Sequence, residues 1–267
     1  FDTIKKLGNG TLSISPAEVI AAELAAGGRK QAQEKAKNVV IRKKTISAFT
    51  GDLGRDFGDA QRLAYQRQPN ASVVSVAAWD DTHLYLGWDV KDSTPWVNGA
   101  DVPEYMYTCG DTVDFQLAIA QGADRKRGEA AAGDVRLSIG NLQGTATAVL
   151  FRPVAPERKG PNSRTFSSGV VKDYMIDSVE LIKDARIEVR KSQSGYVVEA
   201  AIPLAALGLQ LKPGFATTGD FGATHGNEGK QTALRTFWSN QATGIVDDDV
   251  FELKLQPGNW SELRFEE

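Results

Sequence analysis

The sequence predicts an all-β chain, an antiparallel β-sandwich of the immunoglobulin or jelly-roll-like kind with a short N-terminal helical extension. Three observations carry this. From about residue 39 onward apolar residues recur with period two. The alternating runs are short and bounded by Gly, Pro, Asn or Asp, and the chain carries 26 Gly. The one strong helix signal is confined to the first forty residues, as expected when strands rather than helices build the core.

The helix signal is Ser15-Pro16-Ala17-Glu18. Ser15 can cap, Pro16 suits the first helical position and Glu18 completes a capping box. Val19, Ile20 and Leu24 continue the helix to Gly27-Gly28, and the polar stretch 29–38 is helical or frayed. Residues 1–44 are therefore assigned to an extension, either a docked appendage or a linker, and residues 45–267 to the sandwich. A chain opening on Phe1 is expected to be processed or truncated upstream.

Alternation then predicts strands over 45–49, 72–79, 84–90, 112–119, 135–139, 145–151, 185–191, 196–202, 217–223, 232–238, 250–255 and 261–265, with one short helix from Pro203 to Leu207 stopped by Gly208. The long polar loops 120–134 and 152–172 are expected to be functional or mobile. No internal repeat is visible.

With 31 Lys and Arg against 34 Asp and Glu, net charge is −3, so no bulk basic field exists to hold nucleic acid. No apolar run of about 18 residues marks a membrane span. Cys109 is the only cysteine, which excludes an intrachain disulfide. It has no adjacent His to activate it. No dinucleotide or Walker glycine motif precedes a helix.

The five Trp carry the functional signal. Trp88 is in phase with apolar neighbours, so it and Trp79 are expected in the core, and Trp260 is expected to lock the C-terminal strand. Trp96 follows Pro95 in a loop, and Trp238 ends a strand before Asn240, Gln241 and Asp247. An exposed indole covers the apolar face of a pyranose while amides and carboxylates bind its hydroxyls. Trp238 is thus either a sugar platform or a core residue. Asn240, Gln241, Asp247, Asp111 and Arg235 are the candidate hydroxyl partners, Arg235 being in phase with Phe237 and opposite Trp238. Asp111 either ties down a turn or reaches the ligand loop. Asp111 and Asp114, three apart on a strand, face opposite ways and cannot act as one pair. A glycosidase would need two carboxylates about 5–9 Å apart flanking a cleft, and no motif marks such a pair. Asp247, Asp248 and Asp249 offer hard oxygen ligands suited to calcium, or form a solvated turn.

The ordered pieces resemble the family 9 carbohydrate-binding modules and the wider DOMON-like sandwich group. They are Gly51-Asp52-Leu53, Ala78-Trp79-Asp80-Asp81, Leu84-Tyr85-Leu86, Val90-Lys91-Asp92, Gly110 to Phe115, Gly195 to Pro203, Phe237-Trp238-Ser239 and Phe251 to Leu255. The match spans residues 45–267. It implies a secreted, periplasmic or cell-surface protein of bacterial extracellular type that binds carbohydrate without catalysis, with calcium supporting its loops. It also implies two rings sandwiching a terminal sugar. Trp238 matches one; where the other is expected, the chain has Tyr105 and Tyr107, with Trp96 as a further candidate. The DOMON-like resemblance implies an alternative, a b-type haem held by Met106 and His225 in an electron-transfer domain. A third reading is a structural or assembly subunit that contacts other domains or subunits through the N-terminal helix.

Overall fold

The computed structural model describes residues 38–120, 124–155, 160–241 and 248–267. The helix expected from Ser15 lies outside the described residues. The strands are β1 (Asn38–Lys43), β2 (Leu63–Gln68), β3 (Ala71–Trp79), β4 (His83–Lys91), β5 (Thr112–Ala118), β6 (Asp134–Leu142), β7 (Thr145–Arg152), β8 (Arg164–Phe166), β9 (Tyr174–Ile176), β10 (Ser178–Leu181), β11 (Arg186–Lys191), β12 (Gly195–Pro203), β13 (Phe215–Gly226), β14 (Thr232–Phe237) and β15 (Ser261–Glu266). Two short helices accompany them, α1 (Leu53–Phe57) and α2 (Leu204–Leu207).

Among the described residues thirteen strands form one curled sheet, in the order β10-β7-β6-β5-β13-β15-β1-β3-β4-β12-β11, with β14 on β13 and β2 on β3. Strands β8 and β9 form a separate hairpin. The pairings are antiparallel except those of β1, which lies parallel to both β15 and β3. The curl is centred on β13. Its first half pairs with β15 up to Gly219, and its second half pairs with β14 from Gly222, while β5 runs along its other edge.

Two wings face each other across the main core. Leu84, Leu86, Trp88 and Val90 of β4 meet Val113, Phe115 and Leu117 of β5 and Phe221 of β13. The Trp88 and Phe221 ring centroids are 6.4 Å apart, and Phe115 and Phe221 4.8 Å. This is the period-two pattern converted into a buried face. The outer faces are covered too. On the β3–β4–β12 wing, α1 lays Leu53 and Phe57 over Val76, Ala78 and Tyr85. Asp52 caps α1 by accepting from the Gly54 and Arg55 amides. On the β5–β6–β7 wing a second core forms from Met106, Tyr107, Phe151, Phe166, Val250 and Leu253.

Three expectations are corrected. The first strand is 38–43, so the sheet begins before residue 45. Residues 45–49 make no ladder; Arg186 takes the Ile46 and Ser47 carbonyls instead. Residues 250–255 are not a strand. Phe251–Leu253 is a single 3-10 turn, and Val250 and Leu253 drop into the second core. Their spacing of three suits that turn, although alternation in the same segment imitates a strand. Strands β2, β8, β9 and β10 and helix α1 were not foreseen from the periodicity.

Candidate functional site

The site is built on the outer face of β5, β6, β13 and β14. Strand parity sends Val113 and Phe115 into the main core and Asp114 and Gln116 out. Register then places Asp114 opposite Ser138 on β6 and Gly222 on β13, and Gln116 opposite Arg136. Arg235 on β14 pairs with Thr224. The cover comes from three pieces: the turn Pro103–Thr108, the β8–β9 hairpin and the strap of residues 248–255.

The covered face is charged. Arg136 Nη2 donates to Asp114 Oδ2 at 2.6 Å, with side chains 1% and 0% exposed. Arg136 Nη1 donates to the Glu252 carbonyl at 3.0 Å, and its guanidinium lies 5.3 Å over the Tyr107 ring. Arg235 Nη2 donates to the Tyr107 carbonyl at 3.2 Å, and Arg235 Nε faces Glu252 Oε2 at 3.4 Å. Burial pushes Glu252 up to about 7 against the pull of Arg235 and Arg136. The strap is pinned at its start by Ser168 donating to Asp248 and Thr108 donating to Asp249.

This arrangement leaves Asp114 Oδ1, Arg136 Nε, Ser138 Oγ, Arg235 Nε and Arg235 Nη1 buried without a hydrogen-bond partner. Buried polar groups are nearly always paired, so five unpaired atoms on one sheet face mark a place that suits a polar occupant.

The other expected residues distribute as follows. Trp96 is 6% exposed and its ring meets Tyr196 at 5.1 Å in the main core. A φ of 58° there turns the loop inward. Trp238 is 4% exposed and belongs to the same core. Neither indole is uncovered at a rim, which corrects the platform expectation for both: the apolar surface of each is spent on packing. Tyr107 is buried in the second core under Arg136. Tyr105 is 42% exposed, with one edge on Phe166 at 5.6 Å, and it alone among the expected rings keeps an open face.

Asp111 takes the turn-tying role. It accepts from the Val97 and Gly226 amides, and burial together with Asp92 pushes it up to about 7. Arg235 is on the charged face, opposite Trp238 as its parity requires. Asn240 is buried, its amide donating to Asp220 Oδ2 at 2.8 Å. Gln241 is exposed, and its carbonyl accepts from Arg67. Asp247 lies outside the described residues.

The metal and haem expectations fare differently. Among the described residues no group of three or more His, Cys, Asp and Glu is placed to hold a metal ion. Asp248 and Asp249 accept from hydroxyls on two different elements, Ser168 and Thr108. For the haem alternative, His225 Nδ1 is bonded to Asp92 at 2.8 Å and Nε2 to Thr236 at 3.0 Å, so both ring nitrogens are engaged by side chains. Met106 is packed in the second core with no exposed surface.

Two wings, a curled sheet and a covered polar face can be set beside known structures. A family 9 carbohydrate-binding module from Caldicellulosiruptor kristjanssonii in complex with cellotriose aligns with TM-score 0.55 and 15% identity, over 86% of this chain and 94% of that one. The chain has the family 9 carbohydrate-binding-module fold. The same organism's module in complex with glucose aligns with TM-score 0.56 and 13% identity, over 86% of this chain and 96% of that one. No family model matches the sequence, and no curated protein matches it.

Sequence reasoning missed Asp114 as an acceptor, together with Arg136, Ser138 and Glu252. A signal existed. In both V-D-F and V-R-L a charge sits in the polar phase of a strand, and such a phase is ordinarily solvent-facing. Only the cover, which no periodicity announces, turns these positions into a buried cluster.

Proposed function

We propose that this chain is a non-catalytic saccharide-binding module whose site is the covered face around Arg136. The observation that carries the reading is the set of unpaired buried atoms on Asp114, Arg136, Ser138 and Arg235. A saccharide presents closely spaced hydroxyls that both donate and accept, which suits two guanidiniums, a carboxylate and a hydroxyl on one patch. Tyr105 at the edge supplies an open ring for the sugar's C–H face. The fold supports the reading, since the aligned modules are in complex with cellotriose and glucose. A binding rather than catalytic role is supported by the engagement of both carboxylates, Asp114 and Glu252, by guanidiniums. The setting that goes with this role is a secreted protein in which the sandwich serves as one module. No helix among the described residues is long and apolar enough to cross a membrane.

The test is calorimetric titration with cellotriose and a glycan array, comparing wild type with Arg136→Lys. Lysine keeps the charge but loses the planar fork. Retention should fall by about tenfold or more, with the melting transition still cooperative. Wild-type retention in Arg136→Lys would place the site elsewhere on the molecule.

A further inference from the structure

Glu252 is out of character for its position. Its neighbours in the strap, Val250 and Leu253, fill the second core with apolar surface, as a cover should. Glu252 instead turns a carboxylate into the charged face, and its side chain is 6% exposed. Its grip there is loose. Arg235 Nε stands 3.4 Å away, whereas charge-assisted pairs close to about 2.7–2.9 Å. Arg235 Nη1, beside that Nε, has no partner, and neither has Arg136 Nε. Of the three guanidinium nitrogens of Arg235, only Nη2 therefore makes a hydrogen bond, and the charge it offers to a carboxylate is under-used.

Charge makes the same point. Arg136 and Arg235 bring two positive charges to the face, and against them stand Asp114 and, when ionised, Glu252. If Glu252 moves out with the strap, one positive charge is left uncompensated in a region shielded from water, which is costly. A neutral sugar entering in its place leaves that deficit. A sugar carrying a carboxylate removes it.

We propose that Glu252 holds the place of a ligand carboxylate, and that the saccharides this face takes are acidic ones, uronate-bearing glycans that displace Glu252 from Arg235. The proposal rests on the saccharide reading above and sharpens it. The uronate carboxylate takes the place of the Glu252 carboxylate and accepts from Arg235 Nε, while Nη1 donates to a second acceptor on the same glycan. Ring hydroxyls donate to Asp114 Oδ1 and accept from Ser138 Oγ and Arg136 Nε, the remaining unpaired atoms. The groups facing Glu252 are Arg235 from β14, Arg136 from β6, and Asp248 and Asp249 from its own strap.

The experiment is calorimetric titration of the full chain at low salt with trigalacturonate and with cellotriose, for wild type, Glu252→Gln and Glu252→Ala. Wild type should bind trigalacturonate about tenfold more tightly than cellotriose, with a loss on adding salt. Removing the internal competitor should tighten trigalacturonate by about another tenfold in both variants. The Gln variant keeps the side-chain volume if the Ala variant fails to fold. Equal or weaker binding of trigalacturonate than cellotriose in wild type overturns the proposal, and so does unchanged or weakened trigalacturonate binding in Glu252→Gln. In either case Arg136-dependent cellotriose binding leaves the saccharide site standing. Binding of neither ligand by any of the three proteins removes both readings.

Discussion

Trp238 and Trp96 show how one residue type serves two ends. An indole at a loop tip is a sugar platform only while its face is open, and both of these are closed by the main core. Truncating a buried aromatic removes its transfer energy and leaves a cavity, at about 3–5 kcal/mol for a large ring. Trp238→Ala and Trp96→Ala should therefore lower denaturant midpoints by that order. Any loss of binding should appear together with the loss of stability. Tyr105→Ala is the contrasting case. Tyr105 is 42% exposed and meets Phe166 at a ring edge, so stability should change by no more than about 1 kcal/mol while saccharide affinity falls. Chemical denaturation of the three variants beside wild type separates the two behaviours. A stable, cooperative Trp238→Ala that has lost binding would return that ring to the site.

At the scale of elements, β13 sets the curl, and close packing on its outer face permits it. A Cβ on Gly222 would sit 2.4 Å from the Phe237 ring across the β13–β14 ladder. Gly222→Ala must push that ring or spread the strands, costing about 1–3 kcal/mol. Because Phe237 is two residues from Arg235, the variant should also weaken saccharide binding. A melting temperature and affinity equal to wild type would refute this. The strands that carry the two wings were legible because the main core takes every second residue of each: Leu84, Leu86, Trp88 and Val90, and Val113, Phe115 and Leu117. Strand β1 was not legible, since Val39 and Ile41 give too short a run to stand out beside a polar stretch. The strap was misread because Phe251, Leu253 and Leu255 alternate, whereas Val250 and Leu253 do the packing. The site was half legible. Arg235 and Tyr105 were singled out, but Arg136, Ser138 and Glu252 acquire their meaning from a cover contributed by distant segments. Local pattern holds no record of that cover.

Across the whole molecule, four buried carboxyls share one consequence. Glu199, Asp220, Asp111 and Glu252 are each pushed up to about 7, in every case first by burial. Glu199 adds a hydrogen bond with Asp56 under α1, and Asp111 adds repulsion from Asp92. A carboxyl raised in the folded state binds its proton more tightly there than in the unfolded chain. Its contribution to stability is complete below the unfolded value, near 4, and is lost as pH rises through about 7. Asp80, Asp56, Glu180 and Glu262 run the other way. Hydrogen bonds hold them below their ordinary values, and for Asp80 and Asp56 this outweighs burial. Their contribution is present above about 4 and is lost as pH falls further. The two sets together place maximum stability near pH 5, with a decline toward pH 8 as the four raised groups ionise. A melting-temperature profile from pH 4 to 9 should fall by several degrees between about 5 and 8. Glu199→Gln should flatten part of that fall, since an amide at the same place has no proton to lose. It leaves the charged face untouched, because Glu199 lies on β12 in the other wing. A profile that is level or rises from pH 5 to 8 would mean that these carboxyls reach water or a counter-charge in solution.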